Sequence, residues 1–303
     1  MRNFLQLFLV VSSFFCLDVS AQISGYVIPN SEVHTLSSPA TERPYQVWVS
    51  LPANYNQAGK KYPVVFVTDP QYSFSLVHGV RHLVGRRGQN IEDFVLVGLA
   101  MPPGADIGAG RSRDYTPSDP LPKDRSLRDP NNYSYDQYGE AEIYRRYVDE
   151  TVFPFIERNY RVDMRRKVFI GHSYGGLFGA CMLLTKPSMF ERYILGSPSF
   201  WFDKHKIFEL EARYASSHRD LHARVMMFAG SFETQGEGER YYKETDLVGD
   251  MQRFANLLQN RKYPNLEISA KVMHDEDHYT VFAVMLSRGL LWALPGFGPY
   301  TSG

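Results

Sequence analysis

Two kinds of hydrophobic pattern alternate along the chain. Continuous apolar runs occupy Tyr62 to Thr68, Phe94 to Ala100, Val168 to Ile170, Arg192 to Gly196, Ala223 to Ser231 and Leu266 to Met273. Runs of this kind predict strands buried on both faces, as in a parallel sheet covered by helices. Val33 to Ser37 and Tyr45 to Leu51 instead alternate or are rich in β-formers, and a turn-rich break at Pro52 to Tyr55 and Gly59 to Lys61 follows them. They predict an antiparallel edge pair. Between the buried runs, helices are predicted over Phe74 to Arg87, Leu177 to Lys186, Thr245 to Asn260 and Tyr279 to Leu294. Another is predicted over Ala141 to Tyr160, where Ile143, Tyr147, Val152, Phe155 and Ile156 keep near-helical spacing and Pro154 bends or breaks the helix. Strand and helix alternation of this order predicts an α/β fold: a mostly parallel central sheet with helices on both faces, in one domain over residues 22–303. No internal repeat is present.

The pattern lapses from Pro102 to Glu140. Pro-Pro-Gly is followed by Gly110-Arg111-Ser112-Arg113-Asp114-Tyr115-Thr116-Pro117 and a polar stretch of Pro, Asp, Asn and Tyr. So long a connection is seldom idle in a compact domain. It reads either as a solvated surface loop or as a lid or pocket wall, with Arg111 and Arg113 meeting an anionic substrate or pairing with Asp114.

Composition narrows the class. Of 303 residues, 44% are hydrophobic, which suits a globular core, and 33 basic residues balance 33 acidic ones, so bulk charge gives no reason to expect nucleic acid or an anionic membrane as partner. The first 21 residues read as a secretory signal peptide. Met1-Arg2-Asn3 is a basic start, Phe4 to Cys16 an apolar run short for a membrane span, and Val19-Ser20-Ala21 a small-x-small cleavage site before Gln22. An uncleaved anchor is the alternative, and the bulky Ser13-Phe14-Phe15 argues against a lipoprotein at Cys16. The reading places the mature chain in the periplasm or outside the cell. Cleavage leaves Cys181 as the one cysteine, with no partner for an intrachain disulfide and an apolar helix around it.

The candidate chemistry centres on Gly171-His172-Ser173-Tyr174-Gly175-Gly176, which follows an apolar run and opens a helix. A Gly-x-Ser-x-Gly turn between strand and helix lifts the serine hydroxyl out of the sheet, and glycines leave room for the tight turn. The helix start directs N–H groups and partial positive charge at any oxyanion formed there. A serine needs a base to take its proton, usually oriented by a carboxylate, and in elbow hydrolases the order is Ser, then Asp or Glu, then His. His278, at the start of the last helix, is the better placed base, and His274 the reserve. The run His274-Asp275-Glu276-Asp277-His278 also admits a metal clamp, but its adjacent residues diverge. For the acid, Glu233 lies closest to a strand end, ahead of Glu237, Glu239, Asp246 and Asp250, with a Ser-His dyad as the alternative. Two oxyanion donors are expected from Tyr174 N–H and, because Pro70 has none, Gln71 N–H. Tyr72, Trp201 and the Arg111 to Tyr115 segment are expected to shape the acyl or aryl pocket, with Arg113 the candidate for an anionic group. Trp201 alternatively packs under its loop.

Five ordered motifs give a family resemblance: Asp69-x-x-Tyr72-x-Phe74; Arg111-x-Arg113-Asp114-Tyr115-Thr116-Pro117; the Ser173 elbow; Gly196-Ser197-Pro198-Ser199-Phe200-Trp201; and Asp277-His278 with Val284-x-Leu286-Ser287-Arg288-Gly289-Leu290. Together they resemble the Putative esterase (esterase D-like) family of α/β-hydrolases over Val47 to Trp292. The likeness is strongest to its siderophore-esterase branch, which hydrolyses catecholate trilactones; feruloyl and acetylxylan esterases, S-formylglutathione hydrolase and mycolyl transferases also belong to the family. The resemblance implies Ser173 as nucleophile and His278 as base. Pro70 stands where the family commonly has glycine, and the acid position varies in the siderophore branch. The resulting expectation is a serine hydrolase of carboxylic esters that needs no cofactor or metal and has a small-molecule ester as its partner. A thioesterase or acyltransferase of the same fold, or a catalytically silent binding protein, are the rival classes.

Overall fold

The computed structural model describes residues 26–57, 59–121 and 135–298. The expected signal peptide, Cys16 and the middle of the irregular 102–140 segment lie outside these described residues. Eight strands form one sheet: β1 (Ser31–Leu36), β2 (Tyr45–Ser50), β3 (Tyr62–Thr68), β4 (Val95–Ala100), β5 (Val162–His172), β6 (Arg192–Gly196), β7 (Ala223–Gly230) and β8 (Leu266–Met273), in the order β1-β2-β4-β3-β5-β6-β7-β8. β2 pairs antiparallel with β1 and with β4, and every later pairing is parallel. The sheet is the mostly parallel one expected from the continuous apolar runs.

Those runs are apolar throughout because each face meets a helical layer. Val64 and Phe66 of β3 face one core with Phe169, Phe178 and Phe190, whereas Val65 and Val67 face the other with Phe74, Ile170, Met285 and Leu286. Successive strand side chains point to opposite faces, so alternation persists without any polar position to reveal it. α1 (Pro70–Leu83) and α8 (Thr280–Ala293) supply the second core, while α3 (Ala141–Tyr147), α4 (Phe153–Asn159), α5 (Tyr174–Thr185), α6 (Phe202–Ser217) and α7 (Leu247–Asn260) supply the first.

Four local outcomes differ from the sequence expectation. α1 begins at Pro70, not Phe74, since proline is preset for the first turn of a helix and Asp69 turns the chain with φ 55°. The supposedly irregular 102–140 segment contains a helix, α2 (Ile107–Tyr115), with Asp106 accepting a hydrogen bond from Ala109 N–H at 2.7 Å. Pro154 does not end its helix, and the chain stays helical from Ala141 to Asn159. The turn before it, Val148–Val152, widens to a π-helical turn that accommodates the missing N–H and the crowded ring. α6 was not anticipated, and its first turn carries Asp203, Lys204 and His205 at positive φ.

The topology positions the site. The next two strands in the chain after β3, β4 and β5, lie on opposite sides of it, and ligands of open α/β sheets bind outside the carboxyl ends at such a reversal. Asp69 and Ser173 are the residues that follow β3 and β5.

Candidate active site

β5 ends at His172 and α5 begins at Tyr174, so Ser173 alone makes the turn, at φ 58° and ψ −120°. A non-glycine residue there is strained, and the surroundings hold it. Ser173 N–H donates to Gly196 O at 2.9 Å, and Leu177 and Ser199 N–H both donate to Ser173 O. The close approach requires glycine on both sides of the motif. A Cβ at Gly171 would lie 2.2 Å from Gly175 O, and one at Gly175 would lie 2.4 Å from Thr68 Oγ1. The Ser173 hydroxyl lies 3.3 Å from that of Ser199.

His278 and Glu233 meet beside this turn. His278 Nδ1 is 2.7 Å from Glu233 Oε2, which assigns the Nδ1 proton to that contact and leaves Nε2 with its lone pair. Glu233 is fully buried. Its other oxygen, Oε1, accepts from Ser197 Oγ at 2.6 Å and from Gly230 N–H at 2.7 Å. Three donors therefore satisfy a carboxylate that would otherwise be costly to bury. Sequence reasoning did not reach Ser197, Ser199 or Gly230, although Ser197 and Ser199 both fall in the quoted Gly-Ser-Pro-Ser motif.

A cavity of about 530 Å³ opens here, lined by Ser173, His172 and His278 together with Tyr72, Leu76, Arg111, Tyr279 and Phe282. Arg111 is neutralised within it. Its Nε lies 2.9 Å from Oδ1 of buried Asp69, whose Oδ2 accepts from Tyr72 OH at 3.0 Å. Burial raises the Asp69 pKa above the usual carboxylate range while Arg111 opposes that shift, and burial raises the Tyr72 phenol well above its own range. The Arg111 guanidinium also lies 5.7 Å from the Tyr174 ring centre.

Of the predicted pocket residues, Tyr72 lines the cavity and Arg113 does not. Arg113 makes a two-pronged pair with Asp114, at 2.7 and 2.8 Å, and contacts Tyr45 OH. Residues two apart on a helix point about 200° apart, so Arg111 and Arg113 of α2 cannot face one cavity. Trp201 is likewise absent from the lining and packs near the Tyr174 and Phe202 rings. Gln71 is the second residue of α1, where the backbone N–H has no acceptor within the helix, and Tyr174 is the first residue of α5. His274 is exposed, and Asp275 and Asp277 turn to Arg240. Among the described residues, no three His, Cys, Asp or Glu side chains converge as a metal site. A second cavity, of about 460 Å³, is lined by residues of α3, α5 and α6 including buried Cys181, and holds none of the predicted site residues.

The strand order with β2 inverted, and a strained serine turn after β5, define an α/β-hydrolase. The family model described as "Putative esterase" matches residues 38–292, and the chain belongs to that family of carboxylic ester hydrolases. The ferri-bacillibactin esterase BesA of Bacillus subtilis is 28% identical over 283 residues, covering 92% of this chain and 94% of that protein. The siderophore enterobactin esterase of Emericella nidulans is 27% identical over 275 residues, covering 82% and 89%. Among solved structures, a BES protein from Bacillus cereus shares the fold with a TM-score of 0.75 at 24% identity, over 91% of this chain and 99% of that one.

Proposed function

We propose that this protein is a serine esterase of siderophore trilactones or related aryl esters, working outside the cytoplasm. The observation that carries the mechanism is the 2.7 Å His278–Glu233 contact, beside a serine held at positive φ in the same cavity. His278 Nε2 takes the Ser173 proton as Oγ attacks the ester carbonyl carbon. The tetrahedral oxyanion is met by Tyr174 and Gln71 N–H groups at the starts of α5 and α1. His278 then gives its proton to the departing alcohol, leaving an acyl-enzyme. Water, deprotonated by the same ring, attacks the acyl carbon and releases acid and free Ser173. Glu233 holds the ring and balances its transient charge.

The substrate class rests on the relatives named as esterases of bacillibactin and enterobactin. The aromatic and apolar lining of Tyr72, Leu76, Tyr279 and Phe282 suits an aryl acid ester, and the paired Arg111 offers it donors without a net charge. Export rests on the apolar run and cleavage-like site of the first 21 residues. The reading of residues 22–303 as a single domain is supported by the one sheet formed by the eight strands of the described residues.

The test is hydrolysis of p-nitrophenyl esters, a feruloyl ester and a catecholate trilactone by the chain from Gln22 onward, beside Ser173→Ala and His278→Ala. Both variants should lose several orders of magnitude in kcat, on the order of 10⁴-fold or more, and Ser173→Ala should no longer take a fluorophosphonate label. Equal rates in wild type and variants would reject the serine mechanism, and turnover of both the trilactone and the feruloyl ester no better than that of simple p-nitrophenyl alkanoates would reject the substrate class.

A further inference from the structure

The residue before the nucleophile has no part in the chemistry just described, yet it sits against the base. His172 closes β5, is only 7% exposed, and its ring centre lies 4.5 Å from that of His278 with the planes at 46°. Phe282 of α8 packs on it at 5.2 Å. There is little slack behind the ring. A Cβ added at Gly196 of β6 would lie 3.0 Å from His172 Cδ2 and 2.0 Å from Met285 Sδ.

His172 Nε2 is buried without a hydrogen-bond partner. A protonated ring would carry a donor at Nε2 with nothing to receive it, although a hydrogen bond to the His278 backbone favours the charged form. The charged or titratable groups that face it are His278 and Arg111, and both oppose a positive charge on His172. Burial first, and then these two neighbours, push its pKa well below the usual imidazole range and outweigh the hydrogen bond to the His278 backbone. His172 therefore presents an uncharged aromatic surface to His278.

The contact with Glu233 fixes one edge of the His278 ring, and of the rings around it Tyr279 and Tyr242 stand at 5.7 and 6.2 Å whereas His172 stands at 4.5 Å, so a swing about that hydrogen bond meets His172 at the shortest distance. We infer, on the reading of Ser173 and His278 as nucleophile and base given above, that His172 is a positioning residue whose ring forms the wall that stops this swing and keeps Nε2 directed at Ser173. The neutral ring also lets His278 become imidazolium during turnover without a second cation in van der Waals contact.

The experiment compares His172→Ala, His172→Phe and His172→Gln with wild type, reading kcat and KM on a p-nitrophenyl ester and the rate of fluorophosphonate labelling. Loss of the wall should lower kcat and the labelling rate about 10- to 100-fold in His172→Ala, as misplacements near 1 Å do, with KM within about threefold of wild type. His172→Phe, which keeps a ring, should recover to within about threefold of wild type. His172→Gln, which keeps polarity but no ring, should resemble His172→Ala. The proposal falls if His172→Ala keeps the wild-type kcat, if Phe is as impaired as Ala, or if Gln is the variant that rescues. Should His172→Ala fail to fold, the Phe and Gln variants decide between ring and polarity. Ser173→Ala is run alongside. If it retains wild-type rate, the nucleophile reading falls and takes this proposal with it; if it is inactive while His172→Ala is unimpaired, only the present proposal falls.

Discussion

Glu233 and His278, 45 positions apart, are joined by a 2.7 Å contact that spans the loops after β7 and β8. Because Oε1 of the same carboxylate is already committed to Ser197 Oγ and Gly230 N–H, Oε2 has one direction left, toward Nδ1. Glu233→Gln cannot reproduce this. Turning its amide nitrogen to Gly230 sets donor against donor, and turning it to His278 forces the ring into the tautomer whose Nε2 carries the proton. The expected result is a kcat lower by about 10³- to 10⁴-fold with the fold intact, read by steady-state kinetics beside a thermal melt. A loss below about tenfold would make the site a working Ser-His pair with Glu233 as a structural acid.

Gly230 ends β7 directly under the loop that carries His278. A Cβ there would lie 2.4 Å from Glu276 O and 3.0 Å from Asp277 N, both backbone atoms with little freedom to yield. Gly230→Ala should therefore displace His278, the proposed base, together with its loop, lowering kcat about 100-fold and stability by about 1–3 kcal/mol. Kinetics and denaturant unfolding on the same preparation measure both. Unchanged kcat would mean that the loop can shift while the base keeps its geometry.

How far the chain disclosed all this depended on the range of the interaction. The buried strands were legible because an apolar run between turn residues is a local signal, and Ser173 because the strain of its turn demands neighbouring glycines. α2 was illegible, since Ile107-Gly108-Ala109-Gly110-Arg111 has no apolar stripe and packs instead through smallness: a Cβ on Gly110 would meet Met101 Sδ at 2.7 Å. Missing that helix led to the choice of Arg113 over Arg111, for only a helix turns residues two apart in different directions. Glu233 was proposed from its nearness to the end of β7, and the structure places it 2.7 Å from His278. Ser197 was not, because its bond to Glu233 exists only through the pairing of β6 with β7.

Arg240 ties the loop of Glu233 to the loop of His278 from outside. Its guanidinium lies 4.0 Å from the Phe232 ring centre, while Nη2 donates to Asp275 O and to Asp277 Oδ2, each at 3.2 Å. The side chain is half exposed, so the pair adds at most about 1 kcal/mol to global stability. Its effect should instead appear in alignment. Arg240→Ala should lower kcat about three- to tenfold with KM little changed, and Arg240→Lys should recover only part of that, lacking the planar group that stacks on Phe232. Raising ionic strength should weaken wild type toward the alanine variant. A KM effect with constant kcat would assign Arg240 to substrate instead.

His78 gives the fold a sensitivity to acid that is separate from catalysis. Buried Arg81 donates to Ser50 O, Phe94 O and Ser50 Oγ, and its Nη2 also lies 3.2 Å from His78 Nδ1, which must therefore act as an acceptor. Burial, then the neighbouring Arg81 and His82, push the His78 pKa down from 6.5 to about 4. Between these values the unfolded chain binds a proton that the folded chain refuses, so stability falls as pH drops through this window and the loss saturates near pH 4. His172, also held well below its ordinary range, adds in the same direction. Melting temperature should thus decline from pH 7 to pH 4.5, and His78→Gln, which cannot take the proton, should decline less steeply. An identical slope in the two proteins would shift the acid sensitivity from the Arg81 cluster to other groups, His172 first among them, and His172→Phe would then be the variant with the flatter slope.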